Sequence, residues 1–214
     1  MSATLAGFAL AATLLILAPG PDSMLVLRNA LRGGRRAGWV TAGGTLSGLL
    51  VWATAAAFGL SAMLQASTIG YDILRFAGAA YLAWLGLTSL GLFRSDDTKR
   101  RHHADQPSEA GPNQAGWGRM YLNGLVSDLL NPKIGIFFIA FLPSFIPAGT
   151  SAAALSLGLG LWFVAETGVW LAVMAWLAAR GVQWLRRSAV QRWLERATGI
   201  VLIGFGLRLA LESR

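Results

Sequence analysis

The sequence predicts an all-α polytopic membrane protein with six transmembrane helices, arranged as two inverted three-helix repeats. Apolar residues make up 55% of its 214 positions and charged residues only 13%, and the mean hydropathy is +0.54. These values lie outside the range of an ordinary soluble domain. Long apolar stretches recur along the chain, and most of the basic residues collect in alternate loops between them.

A helix needs roughly 20 mostly apolar residues to cross a hydrocarbon core of about 30 Å. Five stretches meet this requirement, and a sixth, shorter one closes the chain. The predicted spans are residues 3–27, 39–63, 73–93, 120–145, 152–179 and 197–211. The first span contains a polar break at Pro19-Gly20-Pro21-Asp22.

The basic residues predict the orientation of these spans. Fourteen of the 18 Lys and Arg residues fall in the loops after the first, third and fifth spans, whereas residues 65–70 and 146–151 contain none. By the positive-inside rule, the chain is a multi-pass inner (plasma) membrane protein with both termini outside. Its partner is therefore the lipid bilayer, and the net charge of +8 is a topology signal instead of a nucleic-acid footprint.

A polar linker at residues 94–118 divides the chain into a first repeat at residues 1–93 and a second at residues 119–214, which together form one membrane domain. The linker holds the pair His102-His103, which could suggest a metal site. No third histidine, cysteine or suitably spaced carboxylate completes one, so the sequence predicts neither a metal nor a cofactor.

The first span of each repeat is interrupted, in the first repeat at residues 19–22 and in the second at residues 128–133. Proline leaves a helix carbonyl unpaired, and within lipid that carbonyl must find a partner in protein, water or a ligand. The prolines could simply kink the helices. Matching breaks in two inverted halves nevertheless favour a transporter binding site.

Several ionisable side chains lie inside the predicted spans, and those away from the span ends are Asp22, Asp128, Lys133 and Glu166. Each costs at least about 2.5 kcal/mol in the bilayer, so such residues are rarely kept without a purpose. A carboxylate near a lysine can form a neutral pair, exchange protons, or bind the amine and carboxylate of a zwitterion. The spacing leaves these roles open, and Glu166 is equally consistent with an ordinary hydrogen-bonded interior residue.

The glycines of Gly44-Thr45-Leu46-Ser47-Gly48 form a GxxxG pattern, which lets helix backbones approach closely. Packing within the chain is the favoured interpretation, and a homodimer is the alternative.

An enzyme is not predicted, because both histidines lie in the linker, cysteine is absent, and the HExxH and GxSxG motifs do not occur. Three other classes remain. They are an exporter, a channel for another small solute or ion, and a membrane assembly subunit that transports nothing itself.

Two extended motifs resemble those of the LysE/RhtB family of amino-acid exporters. The first is Ala18-Pro19-Gly20-Pro21-Asp22 followed by the basic segment at residues 27–38, and the second runs from Leu130-Asn131-Pro132-Lys133 through Phe137-Phe138 to Phe141-Leu142-Pro143. Length, hydrophobic profile and the central linker agree as well, so the resemblance covers essentially the whole chain.

This resemblance implies a secondary exporter of amino acids or close derivatives, coupled to protons. It also implies a transport site made of Pro19, Gly20, Pro21, Asp22, Asn131, Pro132 and Lys133. Asp128 departs from the family pattern, because many relatives have an uncharged polar residue at that position. The particular amino acid is left open.

Overall fold

The computed structural model describes residues 2–17, 20–66, 68–90, 116–147, 150–180 and 188–211. Within these ranges the protein is all-helical, which confirms the predicted class. The helices are α1 (Ser2–Leu17), α2 (Pro21–Ala66), α3 (Thr68–Ser89), α4 (Trp117–Leu129), α5 (Pro132–Ile136), α6 (Ala152–Ala179) and α7 (Ser188–Leu211). Pro19, His102-His103 and most of the predicted linker lie outside the described residues.

Helix α2 reverses direction at Gly34, whose φ of 74° lies in the left-handed region that favours glycine. The two segments on either side of Gly34 pack against each other. The side-chain amide of Asn29, before the turn, donates a hydrogen bond to the hydroxyl of Thr41, after the turn, at 2.8 Å. A Cβ added at Gly38 would lie 2.8 Å from that of Ala30. Residues 21–33 and 35–66 are therefore two antiparallel segments joined by a tight turn within the predicted basic loop.

The chain from α4 to α5 is a broken helix pair. Its two arms, Trp117–Leu129 and Pro132–Phe145, are bent by 48°. After α5 the chain continues as a π-helical turn (Phe137–Phe141) and a 3₁₀ turn (Leu142–Phe145). Irregular turns of this kind inside a helix are common at functional sites.

The second segment of α2 is the centre of the bundle. It runs parallel to α4, where a Cβ at Gly44 would lie 1.9 Å from the Tyr121 carbonyl oxygen. It runs antiparallel to α6, where a Cβ added at Gly160 would lie 2.7 Å from the Cβ of Ala53. Only glycine permits such close backbone approach. Gly44 and Gly48 both face α4, which confirms the predicted packing role of the GxxxG pattern within the chain.

A second antiparallel pair is formed by α3 and α7. A Cβ added at Gly86 would lie 2.7 Å from the Gly199 carbonyl oxygen, and one at Gly206 would lie 2.8 Å from the carbonyl oxygen of Ala79. Small residues again set the distance between the helices.

Two apolar clusters fill the interior. The aromatic cluster contains seven buried phenylalanines, namely Phe8, Phe137, Phe138, Phe141, Phe145, Phe163 and Phe205. The aliphatic cluster, near the turn at Gly34, consists of Val26, Leu27, Ala30, Ala42, Leu171, Met174, Ala175 and Ala178.

By length and composition, the helical stretches Pro21–Gly59 and Ala152–Ala178 could each cross a membrane, and the bent pair could form a third span. Because Pro21–Gly59 includes the reversal at Gly34, its spanning part is the segment after that glycine. Three shorter apolar helices accompany them: Leu5–Leu17, Phe76–Ser89 and Gly199–Arg208.

Candidate functional site

The two predicted breaks are present in the backbone. Helix α1 ends at Leu17 and α2 begins at Pro21, while α4 ends at Leu129 and α5 begins at Pro132. Each new helix starts with proline, whose missing N–H is not needed in a first turn. The Asn131 side chain caps α5 by accepting a hydrogen bond from the Lys133 backbone N–H at 3.1 Å. Pro21 and Pro132 therefore act through the backbone, and both are exposed.

The two breaks meet through the side chain of Asp22, which is 7% exposed. The Asn131 amide donates to Oδ2 of its carboxylate, and the Ser127 hydroxyl donates to Oδ1 at 2.6 Å. Asn131 lies in the second break and Ser127 directly precedes it in α4, so Asp22 joins the two halves of the chain.

Lys133 connects the second break back to α1. Its ammonium Nζ donates to the Leu15 carbonyl oxygen at 2.8 Å, and the residue is only 7% exposed. The last four carbonyls of a helix have no partner within the helix, and Lys133 satisfies one of these at the end of α1. Gly20 lies beside the same group, because a Cβ added there would be 3.8 Å from Nζ.

Asp128 is fully buried, with 0% of its surface exposed. Neither carboxylate oxygen has a hydrogen-bond partner within the described ranges. Its carboxylate packs against the backbone of α2, where a Cβ added at Gly48 would lie 2.6 Å from Oδ2. The Trp52 indole donates to the backbone carbonyl of Asp128 at 3.4 Å and not to its side chain.

A small cavity of about 30 Å³ lies between these residues, with room for about two water molecules. The polar wall combines Asp22, Asp128, Asn131 and Lys133 with Gly20 of the first break, so the structure brings five of the predicted site residues together. Leu15, Leu49, Ile134, Phe163 and Leu171 are among the apolar residues that line it.

Helix α6 supplies a further wall that the sequence did not predict. Thr167 and Trp170 both line the cavity, and they lie three residues apart on one face of the helix. The Thr167 hydroxyl and the Trp170 indole nitrogen are buried without a hydrogen-bond partner in the described part of the chain. No sequence signal distinguishes them, because neither residue is ionisable or lies in a break.

Glu166 is not among the residues that line the cavity. Its Oε1 is instead hydrogen-bonded to the Thr13 hydroxyl of α1, while Oε2 is buried without a partner among the described residues. The Thr13 hydroxyl also lies 2.8 Å from the Ala9 carbonyl oxygen. Glu166 thus connects α6 to α1 and does not contact the two breaks through any hydrogen bond described.

An all-helical fold with long apolar helices and a buried polar site at two broken helices defines a polytopic membrane protein of the transporter class. The family model of the LysE type translocator matches residues 13–213. The chain therefore belongs to the LysE type translocator family, and the predicted resemblance is confirmed.

Several curated proteins are similar to this chain over nearly its full length. The membrane protein YrhP of Bacillus subtilis is 29% identical over 206 residues, covering 94% of this chain and 95% of YrhP. A threonine efflux protein of Escherichia coli K12 is 27% identical, with 92% of each chain covered. A homoserine/homoserine lactone efflux protein of Salmonella typhi is 28% identical, covering 95% of this chain and 94% of that protein. No solved structure matches the chain.

Proposed function

We propose that this protein is a secondary active exporter of amino acids or their derivatives, coupled to protons, with its substrate site at the two broken helices. The observation that carries the proposal is the convergence of Asp22, Asn131 and Lys133 on one buried polar cavity. Both family signatures thereby contribute to a single polar site inside an apolar bundle.

The chemistry of this cavity suits a zwitterion. Lys133 offers a buried ammonium group to a carboxylate, while Asp22 and the Leu15 carbonyl offer acceptors to an amine. Because Lys133 is hydrogen-bonded to Leu15 in the closed state, substrate binding exchanges that contact for one with the substrate. Buried charges are retained where they serve such ion or substrate pathways.

Thr167 and Trp170 complete this site from α6. The indole N–H can only donate, and the threonine hydroxyl can donate or accept. Both groups need a partner, because a buried polar group without a hydrogen bond costs about 1–3 kcal/mol. An oxygen of the substrate is the partner that we propose for them.

The names of the relatives support the substrate class. Two are named as efflux proteins, one for threonine and one for homoserine or its lactone. At 27–28% identity, these names support amino-acid export but do not identify the particular amino acid, which depends on the shape of the cavity. The proton carrier is one of the buried carboxylates Asp22, Asp128 and Glu166.

The proposed topology has six spans in two inverted repeats, residues 1–93 and 119–214, with both termini outside and residues 94–118 as a cytoplasmic linker. The helix directions support it. The segment after Gly34 is parallel to α4 and antiparallel to α6, as expected for the second, fourth and fifth spans. Arg36 stacks on Trp117 and Arg180 on Trp176 at the same end of the bundle, which suits a cytoplasmic interface.

Transport by the purified protein in liposomes tests the proposal. Vesicles loaded with unlabelled threonine, homoserine, leucine, lysine or arginine are diluted into the same labelled amino acid, and saturable counterflow is expected for at least one. The D22N variant is the matched control. Folded protein that exchanges none of them would contradict amino-acid export, and a conductance that does not saturate would indicate a channel.

A further inference from the structure

The two aspartates at the cavity have opposite environments. Asp22 accepts hydrogen bonds from Ser127 and Asn131, whereas no donor within the described ranges reaches either oxygen of Asp128. Asp128 is also the more deeply buried of the two. Burying an ionised carboxylate removes its hydrogen bonds to water, and this is costly where no protein donor replaces them.

The charges around the cavity also oppose ionisation of Asp128. The titratable residues that line it are Asp22 from α2, Lys133 from α5 and Asp128 itself, while α6 contributes the uncharged Thr167 and Trp170. Asp22 and Lys133 together are neutral. An ionised Asp128 would add a second negative charge to a site with one cation, and like charges at a shared site oppose ionisation of both.

We propose that Asp128 is the carboxylate that carries the coupled proton. This inference rests on the proposed export function. In the closed, empty site Asp128 is a neutral acid. When the ammonium group of a substrate enters from the cytoplasm, the O–H bond of Asp128 breaks, its proton passes to cytoplasmic water, and the carboxylate pairs with the ammonium.

At the outer side the reverse step completes the exchange. A proton from external water binds the Asp128 carboxylate, the ion pair with the substrate is lost, and the substrate leaves. One proton therefore enters the cell for each substrate exported. The position of Asp128 suits this role, since it shares the cavity with Asp22 while its own oxygens are available.

Infrared difference spectroscopy of the purified protein tests the assignment directly. Wild-type protein should lose the carbonyl band of a protonated carboxylic acid when substrate binds, and a pH dye should report release of about one proton per substrate. The substrate Kd should fall about tenfold per unit rise in pH, as long as Asp128 is protonated in the empty site and ionised in the complex. D128N should lack the band, release no proton, and bind with a Kd that does not depend on pH.

The matched variant is E166Q, because Glu166 does not line the cavity, and it should retain the band and its response to substrate. Loss of the band in E166Q would overturn the assignment, as would its persistence in D128N. If D128N does not fold, as judged by gel filtration, D128E decides the question, because its band should remain sensitive to substrate but shift in frequency relative to wild type. Wild-type protein that binds no amino acid would instead contradict the proposed function, so the two failures are distinguishable.

Discussion

The side-chain amide of Asn131 donates a hydrogen bond to the carboxylate of Asp22, across 109 residues of sequence. This contact joins the start of α2 to the residue that caps α5. Each residue also has a second role, because Asp22 accepts from Ser127 and Asn131 caps the helix that carries Lys133. A change at either position therefore affects both breaks.

Replacing Asp22 with asparagine should reduce export strongly. An asparagine side chain presents only one acceptor oxygen, so its NH₂ group faces one of the two donors, and the negative charge near Lys133 is lost. Hydrogen bonds to charged groups contribute about 1.5–3 kcal/mol each, which corresponds to about a tenfold to hundredfold loss of rate. Counterflow in liposomes measures the loss, with S127A as a milder comparison because it removes one donor. Normal export by well-inserted D22N would contradict the proposed site.

Replacing Gly48 with alanine should destabilise the bundle, because the new methyl group would lie 2.6 Å from Oδ2 and 2.9 Å from Cβ of Asp128. Overpacking of this kind costs about 1–3 kcal/mol, or a fall of roughly 2–10 °C in the Tm. G158A is the matched control, since a Cβ at Gly158 meets no atom within 4 Å. Thermal unfolding in detergent should separate the two variants, and equal Tm values would contradict the close packing of Asp128.

Replacing Trp170 with phenylalanine should weaken substrate binding without preventing expression. The variant keeps an aromatic ring and loses the indole N–H that lines the cavity without a partner. One net hydrogen bond corresponds to about a threefold to tenfold rise in KM. W162F is the control, because Trp162 is 55% exposed on the outer surface of α6. An unchanged KM in W170F at an unchanged Tm would exclude this residue from the substrate site.

The proposed orientation can be tested by cysteine labelling, since the natural sequence contains no cysteine. T150C lies between α5 and α6, on the predicted outer side, and should react with a membrane-impermeant maleimide in intact cells. R36C lies near the turn at Gly34 and should react only after the membrane is permeabilised. The reverse pattern would invert the topology and, with it, the direction of transport.

The sequence was sufficient to predict the helical class and the two breaks, because proline and charge within apolar runs are strong local signals. Asp22, Asn131 and Lys133, which were predicted as site residues, line one cavity in the structure. The contribution of Thr167 and Trp170 could not be predicted. In lipid the outer face of a helix is as apolar as the inner one, so α6 has no amphipathic pattern to show which face lines a site. The hydrogen bond between Glu166 and Thr13 could not be predicted either, because it depends on how α6 is rotated about its own axis.

The two apolar clusters on either side of the cavity also suggest that the outward-opening and inward-opening steps of the proposed transport cycle have different rates. In the proposed orientation, the way out passes seven phenylalanine rings, whereas the way in passes the mostly smaller side chains of the aliphatic cluster. Exposing apolar surface to water costs about 25 cal/mol per Å², so separating the aromatic rings costs more than separating the aliphatic residues. For the proposed cycle we therefore expect the outward-opening step to be the slower half, and substitutions that shrink those rings should raise turnover, measured by counterflow, before they affect affinity.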